Sequence, residues 1–172
     1  MRDSFFESFI KTEPIISETR NDPDHFYGDI YDLANAFLSI ESMTHKKLQK
    51  LCYYAKAWYL ALNDKNIIEE PFEAWVHGAV QPRLYQKYRG YGFQAIPMYN
   101  ESEELPEEFL SFAREIHESY GDFTGDQLEK INHAEAPWQK ARVGLKPWQN
   151  SSNIISEDDM RTYFRGLMSD GQ

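Results

Sequence analysis

The stretch from Thr44 to Leu62, THKKLQKLCYYAKAWYLAL, decides the fold. Leu48, Leu51, Cys52, Ala55, Trp58, Tyr59 and Leu62 recur at helical spacing and make one apolar stripe. Lys46, Lys47, Lys50 and Lys56 fall off that stripe. A helix with so much apolar surface must pack against other elements, so it is expected at the centre of a domain, ended by Asn63-Asp64.

Working outward, the same period recurs. Ile30, Leu33, Ala34 and Phe37 form an earlier helix, with Asp29 placed to cap its first turn. Phe72, Ala74 and Val76 alternate with Glu73, Trp75 and His77, which reads as a strand between Pro71 and Gly78. A lone strand is not stable, so a partner is expected at Ile67-Ile68 or Ala95-Ile96. Pro82 suits a first helical position and introduces Leu84, Tyr85 and Tyr88, with a stop at Gly90 or Gly92. Phe109, Phe112, Ala113, Ile116 and Tyr120 mark a further helix. Thr124 to Gln127 has the capping-box pattern before Leu128 and Ile131. Ser156 to Asp159 is the related signal before Met160, Tyr163, Phe164 and Leu167. The class is mainly α: a compact bundle of about six helices with a small β-strand or hairpin element.

The chain has 172 residues, enough for one domain with a real core and little room for a second. Its single cysteine excludes an internal disulfide and suits a reducing compartment. Cys52 lies in the middle of the apolar stripe, where a thiol is usually a small hydrophobe. No uncharged apolar run approaches the roughly 20 residues that span a bilayer, and MRDSFFESFIKTEP carries acids among its aromatics, unlike a secretory signal. A soluble, cytoplasmic protein is expected.

The formal net charge is −10, which disfavours a general grip on nucleic-acid backbone. It is unevenly distributed. Residues 44–90 hold 8 basic and 4 acidic side chains, residues 91–100 hold none, and residues 101–135 hold 2 basic and 11 acidic. The basic and acidic stretches either face each other, face a partner, or form two solvated helix surfaces. Near residues 19–25 a polar run broken by Pro23 marks a boundary. Before it, Phe5, Phe6, Phe9 and Ile10 are spaced as a short amphipathic docking arm or a tail.

No catalytic constellation stands out. His25, His45, His77, His117 and His133 make no i, i+3 or i, i+4 pair, and neither a nucleophile elbow nor a phosphate loop is present. The aromatic and cationic residues are more informative. Trp75, His77, Arg83, Arg89 and Tyr91 gather around the strand and the following helix, and Trp138, Lys140, Arg142 and Trp148 gather later. Trp, Tyr and Arg anchor protein interfaces because they combine area with directed polar groups. Trp58 and Trp75 read as core fillers; Arg83 and Arg89 read as surface.

Four blocks carry a resemblance. They are THKKLQKLCYYAKAWYLAL, PFEAWVHGAVQPRLYQKYRGYG, LEKINHAEAPWQKAR and IISEDDMRTYF, in that order. The chain resembles the Panacea domain, the SocA-like or GepA-like antitoxin family, over about residues 28–166. Leu48, Leu51, Trp58, Gly78, Leu84, Tyr85, His133, Trp138 and Arg142 stand at the motif positions. Ala79 replaces a family Pro, Asn132 a Thr, and Cys52 an aliphatic residue. The resemblance implies a domain at 28–168, flanked by an extension at 1–27 and a tail at 169–172. It implies a bacterial or prophage antitoxin that neutralises a toxin encoded nearby by direct contact, with no cofactor and no catalysis, and an acidic chain would be steered to a basic toxin. A proteolytic adaptor that hands the toxin to an ATP-dependent protease is the alternative. An enzyme using His133 with Glu135 or His77, and a DNA-binding autoregulator, stand further off. The expected partner surface is Trp75, His77, Arg83, Arg89 and Tyr91, with Phe5, Phe6 and Phe9 second.

Overall fold

The computed structural model describes residues 26–170. Phe5, Phe6 and Phe9 lie outside the described residues. Asp29 caps α1 (Ile30–Leu38), accepting from the Tyr31 and Asp32 amides while Asp32 accepts from its own. Thr44 caps α2 (His45–Asn63), and Asp64, at φ 57°, closes it in the left-handed region. Gln81 caps α3 (Pro82–Tyr88), which runs into a 3-10 turn at Arg89–Tyr91. Then follow α4 (Glu107–Tyr120), α5 (Gly125–His133), α6 (Ala136–Ala141) and α7 (Glu157–Asp170). The capping box at Thr124 forms as the sequence predicts, and Asp29 caps α1 as expected, its bonds with Asp32 completing a second box.

The helix α2 is the axis of the domain. Every residue from Leu48 to Ala61 is buried, because α1, α4, α5 and α7 pack around it. Trp58 fills the centre, edge-on to Phe164 at 5.0 Å, and its indole N–H donates to the Tyr120 hydroxyl at 2.8 Å. Tyr54 stacks on Tyr120 at 4.1 Å. Cys52 is fully buried, and burial pushes its thiol far above the ordinary range, so it stays inert.

Two expectations need correction. Lys50 and Lys56 are inside the protein, although their spacing places them off the apolar stripe. A helix enclosed on all sides has no solvent face, so its lysines need internal acceptors. The Lys56 ammonium donates to the carbonyls of Ile68, Glu69 and Glu70 and pairs with Glu157 at 3.2 Å. The second correction concerns strand pairing. The strand β2 (Glu73–Trp75) pairs with neither Ile67-Ile68 nor Ala95-Ile96; it turns through Val76-His77 and pairs antiparallel with β3 (Gly78–Val80). Ala95-Ile96 forms β4, which pairs with β1 (Met43–Thr44). Gly78 opens the returning strand where its sequence reads as an exit.

The basic and acidic stretches do face each other at one end of α2. Lys46 bonds Asp126 at 2.8 Å and Glu129 at 2.7 Å, while Lys47 pairs with Glu41, which lies before the basic stretch.

Candidate functional site

The motif residues converge on the β2–β3 hairpin. From α2, the Gln49 side-chain amide donates to the Gln81 carbonyl at 3.0 Å and accepts from the Gln81 amide at 2.8 Å. Lys50 donates to the Ala79 carbonyl at 3.0 Å. From α5, Asn132 accepts the Ala79 amide at 2.7 Å. Side chains thus satisfy the free edge of β3 as a third strand would. On the other edge, Ala74 donates to the Asn153 carbonyl at 2.8 Å and Glu73 bridges Ile154.

The third motif block clamps from below. The Trp138 indole donates to the Trp75 carbonyl at 2.9 Å. Arg142 is 6% exposed and donates to the carbonyls of Ala74, Lys146 and Gln149 at 2.8, 3.2 and 2.6 Å. One guanidinium therefore ties the hairpin to the loop that carries Trp148. Arg142→Ala strands those three carbonyls, so a loss of about 2 kcal/mol is expected in urea unfolding, with altered Trp148 fluorescence. Arg142→Lys rescues little, because an ammonium cannot span all three acceptors.

Behind the hairpin lies a buried polar cluster. Tyr54 and Asn132 both donate to Glu135 Oε1, at 2.9 and 3.2 Å. Burial raises the Glu135 carboxyl to about 7 despite those two bonds, which act the other way. Burial likewise lowers the Lys50 ammonium to about 7. Neither group opens to solvent; both hold the hairpin. His133 stacks on Trp138 at 4.2 Å, and burial lowers its pKa. His77 is separate from Glu135: its Nδ1 sits 3.0 Å from Glu129. His133 Nε2 approaches the same Glu129 oxygen at 4.0 Å, so the two histidines converge on Glu129, while Glu135 is held apart by Tyr54 and Asn132. Among the described residues no group of three or more His, Cys, Asp or Glu side chains is placed to hold a metal.

Two exposed surfaces remain. A cleft of about 730 Å³ beside the hairpin is lined by Glu73, Trp75, Val76, His77, Trp148 and Ser151, among others. Its Trp75 indole donates to Glu73 at 2.6 Å and packs edge-on to Tyr85 at 4.9 Å. Trp148 is 72% exposed. The second surface runs along α3 into β4. Arg83, Arg89 and Tyr91 lie there, outside the cleft lining. Arg83 is engaged internally, 2.8 Å from Glu70 and 3.6 Å from Asp29. Leu84 is buried beneath this face. Sequence reasoning missed Phe93, which is 100% exposed; the signal available was the uncharged run at 91–100 with its two flanking glycines.

What these elements define is a mainly α domain whose recurrent polar motif holds a short hairpin against a buried central helix. A sequence model of the family described as antitoxin SocA-like, Panacea domain, matches residues 48–139. That is more than half of the chain, and the chain belongs to this family. It carries an antitoxin-like domain, and the family resemblance holds; the fourth block lies beyond the matched span. No curated protein and no solved structure matches the chain. Among the described residues no helix is long and apolar enough to cross a membrane.

Proposed function

We propose that this chain is an antitoxin that neutralises a toxin protein by binding it directly, without making or breaking bonds. The observation that carries the reading is the family match over residues 48–139. The arrangement of the motif supports it. Gln49, Lys50, Asn132, Glu135, Trp138 and Arg142 are all occupied with the hairpin or its supports. Partner contact then falls to exposed residues outside the motif, which fits one domain architecture serving different partners. The domain is taken as residues 28–168, since α1 and α7 pack on α2 beyond the matched span. The cytoplasm is its proposed location.

The test is coexpression with the product of the adjacent gene, followed by gel filtration. A stable complex, with growth restored, is expected. Suppression of toxicity without co-elution removes the mechanism. The toxin's half-life should be unchanged by the antitoxin; a shortened half-life points instead to delivery to a protease.

A further inference from the structure

We infer that the face formed by the end of α3, the turn after it and β4 is the surface that grips the partner, and that the partner presents carboxylates around an apolar pocket. The inference rests on the proposal that this chain acts by binding a protein.

Charge makes the first part of the case. The chain is −10 overall, yet residues 74–100 contain no Asp or Glu and carry Arg83, Lys87 and Arg89. The three cations are not equivalent. Glu70 and Asp29 neutralise Arg83, which also lies 4.7 Å over the Tyr31 ring. The Lys87 ammonium sits 4.5 Å from the centre of that ring and meets no carboxylate among the described residues. Arg89 is exposed and makes no ion pair among the described residues. Among the described residues this face thus holds two positive charges without a carboxylate partner.

Shape makes the second. Phe93 is 100% exposed, Met98 46% and Tyr91 37%. Tyr91 and Phe93 stand on a turn in which the Gln94 amide donates to the Tyr91 carbonyl at 2.9 Å, and Met98 follows β4. Among the described residues the backbone of this turn is open: a Cβ added at Gly90 or Gly92 would meet no atom within 4 Å, and the Tyr91 ring lies 6.2 Å from that of Tyr88. A wholly exposed phenylalanine beside an unpaired arginine is the composition of an interface anchor. The cleft beside Trp75 differs, because its indole, carboxylate and imidazole are already bonded to one another or to Glu129.

The same composition suits stacked nucleic-acid bases, but the two cations free on this face give little counterion release. A two-fold dimer through this face would bring two copies of the same positive, carboxylate-free patch together. A protein surface that is acidic at this contact satisfies both the charges and the aromatics; net charge alone suggests a basic partner, but residues 74–100 carry none of the chain's acids, so the local charge of this face sets the match.

The test uses Phe93→Ser with Arg89→Glu in the full chain and the adjacent gene's product as probe. Binding is expected to weaken at least about 30-fold, the scale of an interface hot spot, with an unchanged melting curve. Met98→Ser with Lys87→Glu is a second pair should the first disturb folding, and weakens binding in the same direction. Raising salt from 50 to 500 mM should weaken the wild type more than the charge-reversed variants. If wild type and both double variants bind alike, this face is not the grip and only this inference fails. If the wild type does not bind at all, the proposed function falls with it. A wild-type dimer that the substitutions dissolve, or retardation of single-stranded DNA that they abolish, overturns the inference in favour of self-association or nucleic acid.

Discussion

Gly78→Ala is expected to leave the protein unable to fold, or to remove at least about 4 kcal/mol of stability. Gly78 opens β3 at φ +103°, where a Cβ-bearing residue is strained by roughly 1–2 kcal/mol. The surroundings add more. An added Cβ would lie 2.7 Å from Asn132 Oδ1, and 2.8 and 2.9 Å from Lys50 Cε and Nζ. Asn132 cannot retreat without releasing the Ala79 amide, which it holds at 2.7 Å. Lys50 cannot retreat without leaving the Ala79 carbonyl. Each buried group so orphaned costs about 1–3 kcal/mol. Against a typical stability of about 5–15 kcal/mol, the sum is severe. Gly92→Ala is the control. It also has positive φ, at 58°, but its Cβ points into open space, so only the backbone strain of about 1–3 kcal/mol remains. The measurement is the urea midpoint of each variant. A Gly78→Ala protein within 1 kcal/mol of wild type would show that the hairpin tolerates a shift of both clamps.

The helices were readable because their signals are local. Asp29, Thr44, Thr124 and Ser156 each cap a helix through side chains within three residues, and the stripe of α2 needs only periodicity. The errors arose where a residue's role depends on a distant element. Lys50 and Lys56 look like surface lysines until β3 and the Ile68–Glu70 segment supply carbonyls to them. Gly78 looks like a terminator because a two-residue turn through Val76-His77 carries no Asn-Gly signal. The partner surface is harder still. Trp75 and Arg83 belong to the residue classes that anchor interfaces, yet one is held by Glu73 and Tyr85 and the other by Glu70 and Asp29. Phe93 has a residue type that usually means core, and only its position shows otherwise. Composition selects candidates; unsatisfied exposure separates anchors from struts.

Glu135→Gln should stabilise the protein, and the gain should depend on pH. The Glu135 carboxyl has its folded pKa raised from 4.5 to about 7, chiefly by burial. The native state therefore keeps its proton where the unfolded chain has lost it. Below pH 4.5 the group carries no penalty; stability is lost as pH rises toward 7 and the loss is complete above it. A shift of that size corresponds to about 3 kcal/mol. Glutamine keeps an oxygen for the Tyr54 and Asn132 donors and stays neutral throughout. The difference between variant and wild type should thus be near zero at pH 4 and reach about 3 kcal/mol by pH 8. Lys50 produces the opposite flank. Its folded pKa is lowered from 10.5 to about 7, so its burden is full below 7 and lifts as pH rises to 10.5. Together the two place a stability minimum near neutrality. Glu41 and Glu129, whose folded pKa values are lowered by lysine and histidine partners despite some burial, and Glu157, lowered by Asn66, Lys56 and Arg161 against its burial, act only at the acid end, where their contributions disappear as pH falls. Urea midpoints of both proteins between pH 4 and 9 decide the matter. A gain that stays constant with pH would mean that Glu135 is ionised in the folded protein, and that Tyr54 and Asn132 hold a buried anion.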